Sequence, residues 1–549
     1  MPYDLVIIGG GINGAGVARD AALRGLRVAL FEREDWGAGT TGASTRMIHG
    51  GIRYLLYDVP TTRSSSEDAA RVRRIAPHLT FRIPFLWPLF RHGFMTEATE
   101  AFLSAYDRYT RLKAGLRHAR LTRAEARRIE PGLAPDVAGA LTLDEWGVDT
   151  FRLAALNALA AREAGADLFP HTDVVDFLFS GRTVRGIRVR DGIEGGERDV
   201  EARLVLNAGG PWADRIAARA GATVRLRPGK GIHVVFERRV GNYGMILEAV
   251  DGRTLFLVPH GAETIVGTTD DDYYGDPASV EAEVTRDEVA YVIEAAARVL
   301  PQARDWRPVR VFAGVRNTLF EWGVAADALS RRHEVIDHEV RDGVPGLLSL
   351  AGGKLASFRM FAEEATDRVV EKLGLAVRPC TTGTRPLPGA APAPDFRALA
   401  RDVPLPPAAL ERIWRRLGDR IAMVFDGAGP ADLTPVCRAE SVTVAEIRYA
   451  IDVEGCRTLD DLRRHTHLAT GSCDGIDCAA PAAHLLADAF EWTPERTHRE
   501  LEAFLERRWA ARRPVLRGAT LAQEEIWRGV YGPEGFVRYG ASAGTTISV

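Results

Sequence analysis

The stretch DLVIIGGGINGAGVARDAALRGLRVALFE, residues 4–32, decides the fold of this chain of 549 residues. Residues 4–8 are mostly apolar, glycines follow, residues 14–24 have a helical pattern, and residues 28–31 form a second apolar run. Short apolar runs bounded by glycine are typical of buried strands. The stretch therefore predicts a strand, a helix and a second strand, the first unit of an α/β protein.

Glycines follow the first predicted strand in the spacing G-x-G-x-x-G, at Gly9, Gly11 and Gly14. Glycine permits a tight turn and a close approach of the backbone to a pyrophosphate, which the helix N-terminus then stabilises. Glu32 ends the second strand, where a carboxylate can accept a hydrogen bond from a ribose hydroxyl. In this context the motif predicts a dinucleotide site. A purely structural glycine turn would not explain why Glu32 falls where the ribose would lie.

Residues 39–51, GTTGASTRMIHGG, favour FAD over NAD as the dinucleotide. Their small and hydroxyl-bearing side chains suit a backbone that lies along the rest of a long, extended cofactor. Later segments, about 202–212 and 351–355, again place small residues at the ends of apolar strands. The residues predicted to bind FAD are Gly9, Gly11, Gly14, Glu32, Arg33, Thr41, Ser44, His49, Gly50, Val174, Ala208, Gly209, Gly353, Lys354 and Leu355.

The order of these patterns predicts three domains. A Rossmann-like FAD-binding domain, similar to the DAO/glutathione-reductase type, is assembled from residues 1–60, 140–215 and 340–380. Residues 61–139 and 216–339 form a substrate-binding or cap domain, in which the strand-rich part, about 222–335, predicts an antiparallel sheet over the cofactor. A proline–alanine linker at 386–394 precedes a mainly helical C-terminal domain at 395–549.

Composition excludes several classes of protein. A net charge of -3 without a basic stripe argues against nucleic acid as a partner. Five cysteines are too few for a disulfide scaffold in so long a chain. Because the sequence enters a strand at once, without a signal peptide, we expect a cytoplasmic protein. We also expect it to be either a homo-oligomer or one component of a complex.

The aromatic segment at residues 81–90, FRIPFLWPLF, has two interpretations. It could touch a membrane surface, which would place the protein peripherally on the inner face of the cell membrane. It could equally be buried core or a contact between domains, and this is the interpretation we favour.

Several ordered motifs resemble the FAD-dependent glycerol-3-phosphate dehydrogenases. They are HGGIRY at 49–54, KGIH at 230–233, GTTD at 267–270, GVR at 314–316 and GGKL at 352–355, and the resemblance covers about residues 1–375. It implies oxidation of sn-glycerol 3-phosphate to dihydroxyacetone phosphate, with electrons passing to a quinone or protein acceptor.

The resemblance also implies a substrate site. Arg53, Arg316 and Arg331 would bind the phosphate, since guanidinium groups match phosphate oxygens bidentately. Tyr54 and Thr269 would hydrogen-bond the substrate hydroxyls. The sequence departs from the family at Asn317, where proline is expected after Gly-Val-Arg, so the flavin is more firmly indicated than the substrate.

Catalysis requires a proton acceptor near the flavin. His233 is the leading base, because an imidazole accepts a proton at neutral pH whereas a guanidinium does not. His49 is its competitor, and a structural role remains open for either ring. Lys354 would stabilise negative charge on the reduced flavin or the substrate oxygen, and Arg316 completes the predicted catalytic set.

The C-terminal domain resembles the BFD-type [2Fe-2S] domain found in the catalytic subunit of the anaerobic glycerol-3-phosphate dehydrogenases. Only Cys437, Cys473 and Cys478 match its ligand positions, because Ala439 replaces the remaining cysteine. An iron-sulfur cluster is normally held by four thiolates, so Cys456 or Glu440 would have to complete the set. The alternative is a degenerate domain kept for packing or for contacts with a partner.

Rival functions stay open at this point. The chain could be an oxidase that reduces oxygen, or a relative that acts on another polyol phosphate or on an amine. It could also be a flavin-bearing electron-transfer protein that acts on no small substrate.

Overall fold

The computed structural model describes residues 1–52, 59–90, 94–110, 112, 114–323, 332–471 and 473–530. Within these ranges no helix is long and apolar enough to cross a bilayer. The described strands form two large sheets and one two-stranded sheet.

The strands are β1 (Tyr3–Ile8), β2 (Val28–Phe31), β3 (Thr80–Leu89), β4 (Arg120–Thr122), β5 (Gly139–Val148), β6 (Asp167–Phe169), β7 (Thr172–Ser180), β8 (Thr183–Asp191), β9 (Glu197–Asn207), β10 (Leu226–Phe236), β11 (Gly244–Glu248), β12 (Thr254–His260), β13 (Glu263–Gly267), β14 (Asp271–Asp272), β15 (Pro308–Leu319), β16 (His333–Asp337), β17 (Leu347–Gly352), β18 (Pro435–Cys437) and β19 (Val442–Thr443). The helices are α1 (Ile12–Arg24), α2 (Val59–Ile75), α3 (Phe94–Thr110), α4 (Arg123–Ile129), α5 (Thr150–Glu163), α6 (Ala213–Arg219), α7 (Arg286–Val299), α8 (His338–Asp342), α9 (Phe358–Leu373), α10 (Phe396–Asp402), α11 (Pro407–Leu417), α12 (Ile421–Phe425), α13 (Val444–Asp452), α14 (Leu459–Thr466), α15 (Ala479–Phe490), α16 (Pro494–Arg512) and α17 (Gly518–Val530).

The first sheet is built around strand β1, in the order β16-β17-β9-β1-β2-β6. Strand β1 pairs in parallel with β2 and β9, and β17 pairs in parallel with β9. The hairpin β7–β8 extends from β9, and β16 closes the other edge antiparallel to β17. The predicted strand–helix–strand unit is thus present, and the α/β fold class is confirmed.

Helices α1, α5 and α9 cover one face of this sheet and form its core with β1 and β17. Leu5 of β1, Val17 of α1 and Ala365 of α9 are all fully buried. Helix α1 ends at Gly25, whose left-handed backbone conformation, with φ of 97°, provides a C-cap that glycine adopts without strain.

The second sheet is mainly antiparallel, in the order β14-β10-β13-β12-β11-β3-β5-β4, with β15 paired to β10. Helix α7 packs on it, and Val289 and Val292 join Val234 and Val266 in a shared core. This is the sheet that the strand-rich pattern predicted over the cofactor.

Residues 81–90 contribute to this second sheet as strand β3 and the residue after it. Strand β3 pairs with β5 along its length, and Ile83, Phe85 and Leu86 are buried. Phe81 and Trp87 are partly buried against the same core. The segment is therefore a strand with a core face, in agreement with the second of its two interpretations.

Two predicted domain boundaries need correction. The sequence pattern assigns strand β5 at 139–148 to the FAD-binding domain, yet it pairs with β3 in the second sheet. The pattern assigns strand β16 at 333–337 to the cap domain, yet it pairs with β17 in the first sheet. Both are strands whose partners lie far away in sequence, so pattern alone does not reveal which sheet they join.

Residues 387–389 of the segment at 386–394 are buried against the body of the protein. Leu387 is buried and its amide donates to the carbonyl of Ile75. Gly389 has a φ of 83°, and an added Cβ there would lie 2.3 Å from the carbonyl oxygen of Leu417. The predicted linker is thus fixed in place between the sheets and the C-terminal helices.

A buried ion-pair network joins helix α5 to the C-terminal helices. Arg152 donates to both carboxylate oxygens of Glu454, at 2.5 and 2.8 Å, and its Nε donates to the carbonyl of Arg416. His465 contacts the same carboxylate at 2.6 Å. Burial alone would raise the pKa of Glu454, but the charge of Arg152 and the His465 hydrogen bond lower it below its usual value.

Replacing Arg152 by leucine is expected to destabilise this junction by about 3–5 kcal/mol, because Glu454 becomes a buried carboxylate without its guanidinium partner. The double variant Arg152→Leu/Glu454→Gln should recover part of the loss. The midpoint of urea denaturation measures both effects. The exposed pair Arg190–Glu197 supplies the control, since Arg190→Leu should cost about 1 kcal/mol or less. Equal losses in Arg152→Leu and Arg190→Leu would contradict a structural role for the network.

Candidate active site

The predicted glycine motif forms a tight turn, and at two of its positions a side chain would clash with the backbone. Gly9 has a φ of 104°, and an added Cβ would lie 2.6 Å from the carbonyl oxygen of Ala208. An added Cβ on Gly14 would lie 1.9 Å from the carbonyl oxygen of Gly9. This tight turn lets helix α1 begin at Ile12, shortly after strand β1 ends at Ile8, and the N-terminus of the helix faces the adjoining cavity.

Glu32 lies at the end of strand β2, beside this turn. Its Oε2 accepts from the amide of Gly10 at 2.6 Å, and its Oε1 accepts from the amide of Glu34 at 2.9 Å. Burial raises the pKa of this carboxyl group. The two backbone bonds hold the carboxylate in position while lone pairs remain for a ribose hydroxyl.

One cavity of about 500 Å³, called here the main cavity, runs from this turn to the second sheet. The predicted cofactor residues that line it are Gly9, Gly11, Glu32, Arg33, Thr41, Ser44, His49, Val174, Ala208, Gly209, Gly353, Lys354 and Leu355. Trp212 also lines it and stacks under the guanidinium of Arg33, 4.8 Å from the ring centroid. A dinucleotide cradle at one end and glycine-lined walls along its length fit FAD.

Gly14 and Gly50 do not line the main cavity. Gly14 instead serves the packing of α1 against the turn. An added Cβ on Gly50 would meet the hydroxyls of Tyr106 and Ser66 at 2.5 and 2.6 Å, so this glycine is required by a tightly packed core. That Gly50 contacts the cofactor stays a prediction.

Arg316 lies on strand β15 where the second sheet faces the main cavity. It donates to Oδ1 of Asp270 at 2.8 Å, to the hydroxyl of Thr268 at 2.9 Å and to the carbonyl of Thr269 at 3.0 Å. An added Cβ on Gly231 would lie 2.7 Å from its Nη2. The glycine on the neighbouring strand thus leaves the room that the guanidinium occupies.

Thr269, which is predicted to hydrogen-bond the substrate hydroxyls, does not line the main cavity. Its hydroxyl accepts from the amide of Ile232 at 3.1 Å, and it lines a second cavity of about 330 Å³ that meets the main one at Arg316. The preceding residue, Thr268, lines both cavities and binds Arg316. Neighbouring residues of an extended segment face opposite sides, so only one of the two threonines can face the main cavity. The sequence does not reveal which one, because the register of the segment is not known from it.

His233 lies on strand β10 and lines the main cavity. Its Nε2 lies 2.9 Å from the hydroxyl of Thr45, and its ring stacks on Phe312 with centroids 4.5 Å apart. Its Nδ1 has no hydrogen-bond partner among the described residues. Burial lowers the pKa of His233 well below its usual value, and the positive charges of Arg316 and Arg46 lower it further. The ring is therefore neutral at physiological pH.

His49 and Lys354 line the main cavity as well. Nδ1 of His49 accepts from the amide of Gly51 at 3.1 Å, so the neutral ring carries its proton on Nε2. Lys354 precedes helix α9 at the carboxyl end of the first sheet. Lys230, also within a family motif, instead pairs with Glu288 at 2.9 Å and lies outside the lining of the main cavity.

The predicted residues Arg53, Tyr54 and Arg331 lie outside the part of the chain that the structure describes. Their assignment to the phosphate and hydroxyl groups of a substrate stays a prediction. Ile52, immediately before the first of these gaps, lines the second cavity together with Arg316.

Three cysteines of the C-terminal region are in contact. The Cys478 thiol hydrogen-bonds to both Cys437 and Cys473, which lowers the pKa of Cys437 to about 7 and that of Cys473 to about 6. Ala439, which stands at the position of the fourth cysteine in the sequence motif, packs against Gly471, where an added Cβ would lie 2.5 Å from the Ala439 Cβ.

The three thiols are one fewer than normally hold a [2Fe-2S] cluster. Cys456 is buried, hydrogen-bonds to His465, and has its pKa raised to about 12 by burial. It is therefore engaged elsewhere and does not complete the three thiols. No group of three or more His, Cys, Asp or Glu side chains in the described ranges has a geometry that could hold a metal ion.

Two family models match this chain. The model described as FAD dependent oxidoreductase matches residues 4–390, and the model described as C-terminal domain of alpha-glycerophosphate oxidase matches residues 380–497. Together they cover both large sheets and most of the C-terminal helices. The cofactor is FAD, as the first model, the glycine turn and the main cavity together show.

Curated relatives match over nearly the whole length. The chain is 34% identical to an anaerobic glycerol-3-phosphate dehydrogenase subunit of Escherichia coli (strain K12), over 96% of each chain. It is 32% identical to a glycerol-3-phosphate dehydrogenase of Mycobacterium leprae, covering 91% of this chain and 87% of the relative.

Among solved structures, the FAD complex of the glycerol-3-phosphate dehydrogenase from Bacillus halodurans has the same fold, with a TM-score of 0.76, 24% identity and coverage of 94% of this chain and 96% of that one. The flavin turn, the two-sheet architecture and these matches lead to one assignment. The chain belongs to the FAD-dependent oxidoreductases, within the glycerol-3-phosphate dehydrogenase family.

Proposed function

We propose that this protein oxidises sn-glycerol 3-phosphate to dihydroxyacetone phosphate. The observation that carries the proposal is that one cavity contains both the dinucleotide cradle and a polar cluster of Arg316, His233, Thr45 and Lys354. The names of the full-length relatives support the choice of substrate. We assign the substrate in those names to this chain as well.

Arg316 is the described residue best suited to bind the substrate phosphate. Asp270 and Thr268 fix its guanidinium at the wall shared by the two cavities. A fixed guanidinium binds a phosphate with little loss of side-chain entropy. Arg53 and Arg331, which the family resemblance assigns to the phosphate, would add further positive charge.

The reaction requires a hydride acceptor and a proton acceptor. FAD, when bound, supplies the acceptor for the hydride that leaves C2 of the substrate. His233 takes the hydroxyl proton at Nε2, with the hydroxyl of Thr45 passing it on from the substrate. His49 acts as a hydrogen-bond donor rather than a base, because its Nδ1 already accepts from Gly51. Lys354 stabilises the negative charge that develops at the site.

The electrons leave to a quinone or to a protein acceptor, and we propose that the chain works within a complex or as a homo-oligomer. An oxidase would instead reduce oxygen. Oxygen consumption during turnover separates the two, since a dehydrogenase turns over with an artificial acceptor and consumes little oxygen.

Anaerobic addition of sn-glycerol 3-phosphate should bleach the oxidised flavin absorbance of the purified holoenzyme. The visible spectrum measures this directly, and sn-glycerol 1-phosphate and glycerol are the matched control compounds. A flavin that sn-glycerol 3-phosphate leaves oxidised would contradict the proposed substrate while leaving the family assignment intact.

Arg316→Ala should raise the KM for sn-glycerol 3-phosphate roughly 10- to 100-fold, as expected for the loss of about 1.5–3 kcal/mol from a charged hydrogen bond. Steady-state kinetics measure KM, and the flavin absorbance per chain should stay the same. Arg227 pairs with Asp272 and lies outside the lining of the main cavity, so Arg227→Ala is the matched control. An unchanged KM in Arg316→Ala would remove this residue from the phosphate site.

His233→Asn should slow flavin reduction by about 10²–10⁴-fold, because it removes the base. Since the pKa of His233 is lowered, the wild-type kcat should not fall as pH decreases through 6.5, where an ordinary histidine would become protonated. Stopped-flow absorbance between pH 5 and 8 measures both effects. Thr45→Ser should retain the rate and Thr45→Val should lose it; equal rates in these two variants would exclude the hydroxyl as the proton relay.

A further inference from the structure

A separate cavity of about 380 Å³ lies where both sheets meet the C-terminal helices, and we call it the junction cavity. The segment from Glu34 to Arg46 forms one wall, strand β15 a second, and helices α14 and α16 the third. Its size is within the range of small-ligand sites in proteins, about 300–1,000 Å³. The main cavity lies on the other side of the first wall, which Glu34, Ala38 and Ala43 line on both sides.

Arginines dominate the lining of the junction cavity. Four of them have carboxylate partners: Arg310 pairs with Glu263, Arg464 with Asp461, Arg507 with Asp460, and Arg508 with Asp474. The remaining two, Arg46 and Arg463, form no ion pair among the described residues. The Nε atoms of both are buried without a hydrogen-bond partner in the described part of the chain.

The surroundings of these two guanidiniums make them unusual. Arg46 lies between two aromatic rings, 5.6 Å from the centroid of Phe151 and 5.8 Å from that of Phe312. Burial, together with the charge of Arg508, lowers the pKa of Arg463 to about 9. Both side chains are half-buried, with their Nε atoms shielded from solvent. A shielded cation without a paired carboxylate is costly, and an anion in the same space would stabilise it.

The other titratable groups of the cavity do not supply that anion. Burial raises the pKa of Glu281, while the charges of Arg508 and Arg463 act to lower it. His171 is bonded to Asp461 at 2.8 Å. Glu34 lies 3.5 Å from Arg464, which already has carboxylate neighbours. The charges of Asp149 and Glu263 reach Arg46, and those of Asp460 and Asp474 reach Arg463, but none of these carboxylates forms an ion pair with either guanidinium in the described part of the chain.

We propose that the junction cavity binds a small anion with a phosphate or carboxylate group, held by Arg46 and Arg463. Guanidinium groups recognise both kinds of anion bidentately. The cavity is large enough for an ion with a short organic chain, and it is distinct from the cofactor and substrate cavity. The site does not depend on the proposed function.

Strand β15 connects this site to the flavin wall. Arg310, Phe312, Gly314 and Arg316 alternate with core residues and so lie on one face of the strand, the first two at the junction cavity and the last two at the main cavity. Phe312 contacts Arg46 on one side and stacks on His233 on the other. An anion at Arg46 thus lies one aromatic ring away from His233.

Calorimetric titration of the FAD-loaded Arg316→Ala variant tests the proposal, because this background weakens the competing phosphate site of the main cavity. Inorganic phosphate and succinate are the two probes, and chloride at equal ionic strength is the control for screening. We expect one anion per chain, and comparison of the two probes identifies the preferred group. Adding Arg463→Gln should weaken binding about tenfold or more.

Arg46→Gln should weaken binding to a similar extent, and Arg463→Lys should retain part of it. The flavin absorbance reports whether each variant is folded. Arg415→Gln, at an exposed arginine of the C-terminal helices paired with Glu411, should leave binding unchanged. If neither probe binds in the Arg316→Ala background, or if binding survives Arg463→Gln undiminished, the proposal is wrong. The proposed function is unaffected by either result, since flavin reduction by the substrate tests it independently.

Discussion

The structure depends on the absence of side chains at two points of one turn. Because Gly14 has no Cβ, the carbonyl of Gly9 can approach helix α1 to a distance that any other residue would block. Because Gly9 has none, the turn can pass directly over the carbonyl of Ala208, at the end of the neighbouring strand β9. The ends of strands β1, β2 and β9 thus converge on one cavity, and the positive end of helix α1 faces it.

The second sheet uses the same means at the substrate end. Gly231 leaves room for the guanidinium of Arg316, and Gly267 leaves room for the ring of His233, which lies 2.6 Å from where its Cβ would be. Gly314 likewise admits the backbone of Ala43, in the segment that separates the two cavities. Polar side chains and the cofactor-facing segment come close together because glycine stands opposite each of them.

The sequence suffices for whatever depends on local pattern. The first strand, helix and second strand, Glu32 beside the turn and the antiparallel second sheet all follow from runs, glycine spacing and alternation. Register and distant pairing do not follow. The pattern favours Thr269, whereas Thr268 lines the main cavity, because a shift of one residue changes which side of an extended segment faces the cavity. It assigns strands β5 and β16 to the wrong sheet because their partners are distant in sequence. The contact between Arg152 and Glu454 spans 302 positions and has no local signal.

The C-terminal region acts through position more than through its cysteines. Three thiols meet, but alanine replaces the fourth cysteine of the motif at Ala439, and Cys456 is hydrogen-bonded to His465. Its strongest contacts go to the body of the protein: Glu454 to Arg152, His467 to Asp149, and the carbonyl of Thr470 to Arg310. Asp149 caps helix α5, and Arg310 lies on the strand that carries Arg316. The helices that follow the linker therefore contact helix α5 of the first sheet and strand β15 of the second, and so tie the two sheets together.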